Sequence, residues 1–156
     1  MANYKEIQGF PIQNLSSDPV PFAQEKQNNP YAGTWASGTS INTARQRLSG
    51  AGLRTANVVF GGADPSYTGA TEVWNGSSWT ESGDLATARY NAGAVGVYTA
   101  AIAAGGFKNP TPGVPGNTDL TEQWDGSSWT EIAEINTARR LAVGMGTTTA
   151  GLIAGG

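Results

Sequence analysis

Four glutamates recur in register along this chain: Glu72, Glu81, Glu122 and Glu131. Paired carboxylates are the equipment of glycoside hydrolysis, one serving as acid and the other as base or nucleophile. Here each glutamate returns with its repeat, whereas an active site breaks symmetry. Exposed strand positions are therefore their expected setting. The chain contains neither His nor Cys. That removes imidazole acid–base chemistry, thiol nucleophiles, disulfides and Cys/His zinc sites. The residues name no catalytic site, no metal and no cofactor, so a non-enzymatic protein is expected.

Two other residue types recur. Arg45, Arg89 and Arg139 each end an Asn/Ala-Thr-Ala-Arg block. A ring of arginines could bind a ligand. A planar donor fork can equally tie together loop carbonyls of neighbouring units, and that structural role is expected. Trp74, Trp79, Trp124 and Trp129 present aromatic faces of the kind that stack on sugars. A large ring at the same place in each unit is also what units need in order to pack on one another, and packing is the expected role.

These residues belong to an internal repeat. Thr71–Glu81 reads TEVWNGSSWTE and Thr121–Glu131 reads TEQWDGSSWTE, identical at nine of eleven positions. Arg45 to Arg89 and Gly61 to Gly105 are both 44 residues; Arg89 to Arg139 and Gly105 to Gly155 are both 50. The six extra residues fall in one loop, after Gly106. A scaffold that keeps register while one loop lengthens is a repeat architecture carrying insertions on one face.

Each unit reads as four short strands. Asn75-Gly76 and Asp125-Gly126 suit a type I′ turn, so Thr71–Trp74 and Ser78–Ser82 form a hairpin. Leu48–Leu53 with Ala56–Phe60, Ala92–Val97 with Ala100–Ala104, and Ala142–Met145 with Ala150–Ala154 read as buried inner strands built of small apolar residues. The full units span about 45–82 and 89–132, and a partial unit spans 139–156. A net charge of −3, with basic residues spread thinly, argues against nucleic acid. The Gly/Ala-rich stretch from Ala92 to Phe107 is shorter than the roughly 20 residues of a spanning helix, so no membrane insertion is expected.

A glycine pair closing the second strand, a later Trp-turn-Trp hairpin and an arginine opening the next unit resemble kelch repeats. The wording WNGSSWTE, TARY and TAAIAAGG is similar to kelch-like proteins of marine bacteriophage virions, as is the leader MANYKEIQGFPIQNLSSDP. The resemblance implies an all-β fold of four-stranded antiparallel β-propeller blades, residues 31–156, behind an extended N-terminal arm, residues 1–30. A propeller needs about four to eight blades to close, so this chain holds an incomplete ring. Continuation past Gly156 is the expected remedy, ahead of assembly between copies or open stacking. Galactose oxidase also carries such a propeller, but its copper chemistry needs His and a Tyr–Cys pair that this sequence lacks.

The resemblance implies a virion protein, a tail fibre or adhesin. Its arm would dock on other virion proteins, and its loops would meet a glycan or protein of the host surface. Homo-oligomers, trimers in particular, fit that setting. A cellular kelch-like interaction scaffold is the alternative, and a glycan-active enzyme ranks below both. Whichever holds, recognition is expected in the unequal loops, at Asp64 and Tyr67 of residues 63–70 and at Phe107, Lys108 and Asn109 of residues 107–119, because loops on a rigid scaffold carry binding.

Overall fold

The computed structural model describes residues 37–109 and 116–156. The expected arm at residues 1–30, residues 31–36 and residues 110–115 of the longer loop lie outside the described residues. The compact unit considered below is Gly38–Gly156.

Among the described residues the chain is all-β, with no helix. Strands β1 (Ser49–Leu53), β2 (Ala56–Phe60), β3 (Thr71–Trp74) and β4 (Trp79–Ser82) form one antiparallel sheet in chain order. A two-residue strand follows, β5 (Arg89–Tyr90). The second sheet repeats the first: β6 (Gly93–Val97), β7 (Ala100–Ala104), β9 (Thr121–Trp124) and β10 (Trp129–Ile132). Between β7 and β9 lies β8 (Phe107–Lys108), which pairs back onto β5. The hairpin β11 (Val143–Gly146) and β12 (Gly151–Ala154) ends the described chain, and no sheet closes on itself.

The register repeats as the sequence does. Phe60 faces Thr71 and Asn57 faces Trp74 in the first sheet; Ala104 faces Thr121 and Ala101 faces Trp124 in the second. Glycines recur at matched backbone angles. Gly61 and Gly105 both sit at φ 65°, in the left-handed region that a side chain disfavours.

The core lies between the two four-stranded sheets. Val58 and Phe60 of β2 meet Ala101 and Ala103 of β7, with Trp124 and Trp129 above them. Small alanines on one sheet leave room for the indoles and let the sheets approach. Trp129 belongs to the second sheet but packs edge-on against Phe60 of the first, with centroids 4.6 Å apart. Its Nε1–H donates to Thr71 Oγ1 at 3.0 Å, so the one polar atom of the ring is satisfied inside the core. Trp124 donates to the Tyr98 carbonyl at 2.9 Å. The packing role expected of these two tryptophans holds. Trp74 and Trp79 are half-buried, 5.2 Å apart, and donate to the Arg54 and Thr39 carbonyls.

The strands expected above lie within one residue of their observed bounds. The short pair β5 and β8 is not among them, since Phe107 and Lys108 form a strand where a loop is expected, and three further features differ. The Trp–Trp turn holds four residues, not two, and only Gly76 (φ 97°) has a positive φ; Asn75 does not. The type I′ expectation fails because Asn75 Oδ1 accepts the backbone N–H groups of Ser77 and Ser78, both at 2.9 Å. That side-chain cap stabilises a wider turn. Next, β11 and β12 are not buried: Val143, Met145 and Leu152 are all more than half exposed. Still, β11 presses closely on β6. A Cβ at Gly144 would collide with the Ala94 carbonyl oxygen, so only glycine fits there. The third feature concerns the glutamates.

Candidate recognition rim

The connections lie at two ends of the sheets. One end holds the tight turns at 54–55, 75–78, 98–99 and 125–128. It is nearly identical from unit to unit: Asp125 Oδ1 accepts from Ser127 and Ser128 as Asn75 does from Ser77 and Ser78. Asp125 is held down to about 2 by these bonds, the backbone N–H of Ser128 first. The other end holds the Arg-bearing segments and the unequal loops, stitched together by the bonds Gly62 N–H to Arg89 O and Gly106 N–H to Arg139 O.

Inside this second end, Glu72 and Glu122 are buried, only 1 and 2% exposed. The expectation of exposed strand positions is overturned for these two and holds for Glu81 and Glu131. The reason is a dedicated carboxylate nest. Arg45 Nη1 donates to Glu72 Oε1 at 2.5 Å, and the backbone N–H groups of Asn42 and Thr43 reach the same carboxylate. Arg89, Ala86 and Thr87 treat Glu122 identically. The Asn/Ala-Thr-Ala-Arg block is thus a carboxylate receptor, and its partner is the glutamate of the third strand of the same unit. Burial alone would push the Glu72 carboxyl up. The Arg45 hydrogen bond, the two N–H donors and the guanidinium's charge outweigh it, leaving the group below its usual 4.5.

The fork does tie carbonyls together, but within a unit rather than between units. Arg45 Nε donates to Gly61 O at 2.9 Å, and Nη1 donates to Thr43 O at 3.0 Å. Arg139 Nη1 donates to Gly155 O at 2.8 Å. Arg89 Nε, fully buried, has no partner among the described residues.

A hollow of about 450 Å³ lies beside this scaffold, lined by Thr71, Glu72, Glu81, Ser82 and Asp84. Two of its three acids are committed, Glu72 to Arg45 and Asp84 Oδ1 to the Thr71 N–H at 3.2 Å; Glu81 is exposed. Among the described residues no three His, Cys, Asp or Glu are grouped to hold a metal.

The unequal loops behave differently. Tyr67 stands 5.2 Å from Tyr90 and 6.3 Å from Phe107, and Tyr90 stands 5.4 Å from Phe107, centroid to centroid. The Arg47 guanidinium lies 5.1 Å over Tyr90, and Arg140 lies 4.7 Å over Phe107. A second hollow, about 480 Å³, opens alongside, lined by Pro65, Ser66, Tyr67, Ala88 and Asn109. So Tyr67, Phe107 and Asn109 converge on one place. Asp64 is exposed on the same loop, where its N–H bonds to Ser66 O. Lys108 follows Phe107 on β8, opposite Arg89.

Sequence reasoning missed Tyr90, Arg47 and Arg140. A signal was present. Counting back 44 residues, Tyr90 and Phe107 correspond to Gln46 and Ala63, which pair in the first unit as Tyr90 and Phe107 do in the second. Counting forward 50, Tyr90 corresponds to Arg140. Next to an invariant repeat arginine, this position therefore reads Gln, Tyr, Arg. It breaks symmetry where the scaffold keeps it.

Comparison with known proteins finds no family model and no curated protein that matches this chain.

Proposed function

We propose that the chain is a stretch of kelch-like β-propeller blades acting as a non-catalytic binding scaffold, carried on a phage virion as part of a tail fibre or adhesin. The four-stranded antiparallel sheets, repeated in register, support the blade reading. The observation that carries the binding reading is the contrast inside one rim. Arg45, Arg89, Glu72 and Glu122 are consumed by buried Arg–Glu pairs, while the non-repeated residues Tyr67, Tyr90, Phe107, Arg47 and Arg140 form one cluster beside an open hollow that Tyr67 lines. A scaffold that spends its invariant residues on itself and varies its loop face is organised for recognition. The arm at residues 1–30 is proposed to anchor the protein on the particle, and the rim to meet a host-surface ligand.

Two experiments test this reading. Deleting residues 1–30 should abolish incorporation into particles; a truncated protein that still assembles removes the anchor. In a screen of glycans and cell surfaces, the 156-residue chain should bind through the loop end. Tyr67→Ala should weaken that binding and Asn75→Ala, at the turn end, should not. The reverse pattern would place recognition elsewhere.

A further inference from the structure

The basic residues are allotted unevenly. Seven lie among the described residues: Arg45, Arg47, Arg54, Arg89, Lys108, Arg139 and Arg140. Arg45, Arg89 and Arg139 are used on glutamates and on carbonyls of their own units. Arg54 sits at the opposite end, in the β1–β2 turn. Lys108 lies on β8, opposite Arg89. Arg47 and Arg140 remain, and both lie on the aromatic cluster.

They are held there by successive contacts. Arg47 stacks on Tyr90, Tyr90 packs on Phe107, and Phe107 carries Arg140, with steps of 5.1, 5.4 and 4.7 Å. Arg47 comes from the first unit, the two rings from the second and Arg140 from the third. Neither guanidinium makes a hydrogen bond or an ion pair with any described residue. Each is therefore fixed by its flat face, with its N–H donors unspent among the described residues. Stacking on a ring removes much of the rotamer freedom that an arginine otherwise loses on binding. The left-handed backbone at Arg47 (φ 60°), shared by Asn91 and Leu141 at the equivalent positions, fixes where that side chain leaves the chain.

Pre-set arginine forks spread across three repeat units suit a ligand that carries planar or tetrahedral anions at intervals. The rings themselves are poor stacking platforms: Tyr90 is 6% exposed, and Phe107 is covered by Arg140 and by Gly116, where a Cβ would strike the ring. That disfavours single-stranded nucleic acid, which needs open aromatic faces. We infer that the Arg47–Tyr90–Phe107–Arg140 ladder is a binding site for an acidic polysaccharide, with Arg47 and Arg140 engaging successive carboxylate or sulfate groups and Asn109 and Tyr67 meeting the sugar beside them. This rests on the recognition role proposed for the rim and names its ligand class.

The test uses the 156-residue chain with four probes: dextran sulfate, polygalacturonate, unmodified dextran and duplex DNA, by calorimetry at low and moderate salt. Dextran sulfate and polygalacturonate should bind, more weakly as salt rises, and dextran should not. Arg47→Ala and Arg140→Gln should each weaken binding roughly tenfold or more, the worth of a charge-assisted hydrogen bond. Arg54→Ala should bind as the parent does, and all variants should keep the parent's melting midpoint. Dextran binding that is lost in Tyr67→Ala but indifferent to both arginines overturns the anionic ligand while keeping the recognition rim. DNA binding as tight as that of dextran sulfate overturns the polysaccharide. Binding equally reduced by Arg54→Ala overturns the site itself, and with it the rim reading. No binding to either acidic polymer overturns the inference, and the glycan and cell-surface screen then judges the rim alone.

Discussion

The two ends of the sheets obey different rules. At the turn end, the unit sequence NGSSW or DGSSW is repeated, and the same side-chain cap closes each turn. At the loop end, a fixed interior underlies a varied surface. Buried Arg–Glu pairs and glycines at matched φ angles repeat, while the residues directly beside them change from Gln to Tyr to Arg. Constancy at the turn end is cheap, since short hairpins form locally. At the loop end it requires long-range bonds that insulate the frame from whatever the loops carry.

The largest expected effect strikes that insulation. Glu122→Ala leaves the Arg89 guanidinium buried without its carboxylate, and should destabilise the chain by about 3–5 kcal/mol in urea unfolding. Glu81→Ala, on an exposed strand position, should change it by no more than about 0.5 kcal/mol. If the two cost alike, the distinction between repeated interior and repeated surface collapses.

A smaller effect is expected at Gly61. Alanine there must hold φ 65° and push its Cβ against the Arg89 carbonyl oxygen. A loss of about 1–3 kcal/mol should follow, read from the same unfolding curves.

Acid separates the ends further. Glu72 has a folded pKa below 4.5. Its contribution is therefore present in full above the unfolded carboxyl's range and is lost as pH falls through the folded value. Asp125, lowered from 3.8 to about 2, keeps its turn-capping bonds until pH falls into a window around that lower value. Asn75 cannot titrate. Amide shifts of Ser127 and Ser128 should move in that window, and those of Ser77 and Ser78 should stay still. Asn109→Ala, the mildest change, should leave stability within about 0.5 kcal/mol while weakening ligand binding at the rim.

Much of the scaffold was legible because its signals are local. Small apolar runs and glycine-bearing turns placed β2, β3, β7 and β9 at their observed bounds. The buried state of Glu72 and Glu122 was not legible. Glutamate reads as a surface residue, and its burial depends on donors 27 to 36 residues earlier in the chain. The turn type was misjudged because Asn-Gly suits two geometries and the serines that follow decide between them. Of the rim, Tyr67, Phe107 and Asn109 came from loops that differ in length. Tyr90, Arg47 and Arg140 were hidden inside the repeated block, where similarity masks single exchanges.

The two ion pairs span different lengths of chain, Arg45 to Glu72 over 27 residues and Arg89 to Glu122 over 33. Both close at the same 2.5 Å. Ring-closure entropy grows only with the logarithm of length, so six additional residues raise its cost by about 0.2 kcal/mol. A unit clasped in this way can be lengthened between clasp and partner almost without thermodynamic consequence. Such a chain can diversify by insertion as readily as by substitution, gaining reach in one loop while every strand keeps its neighbour.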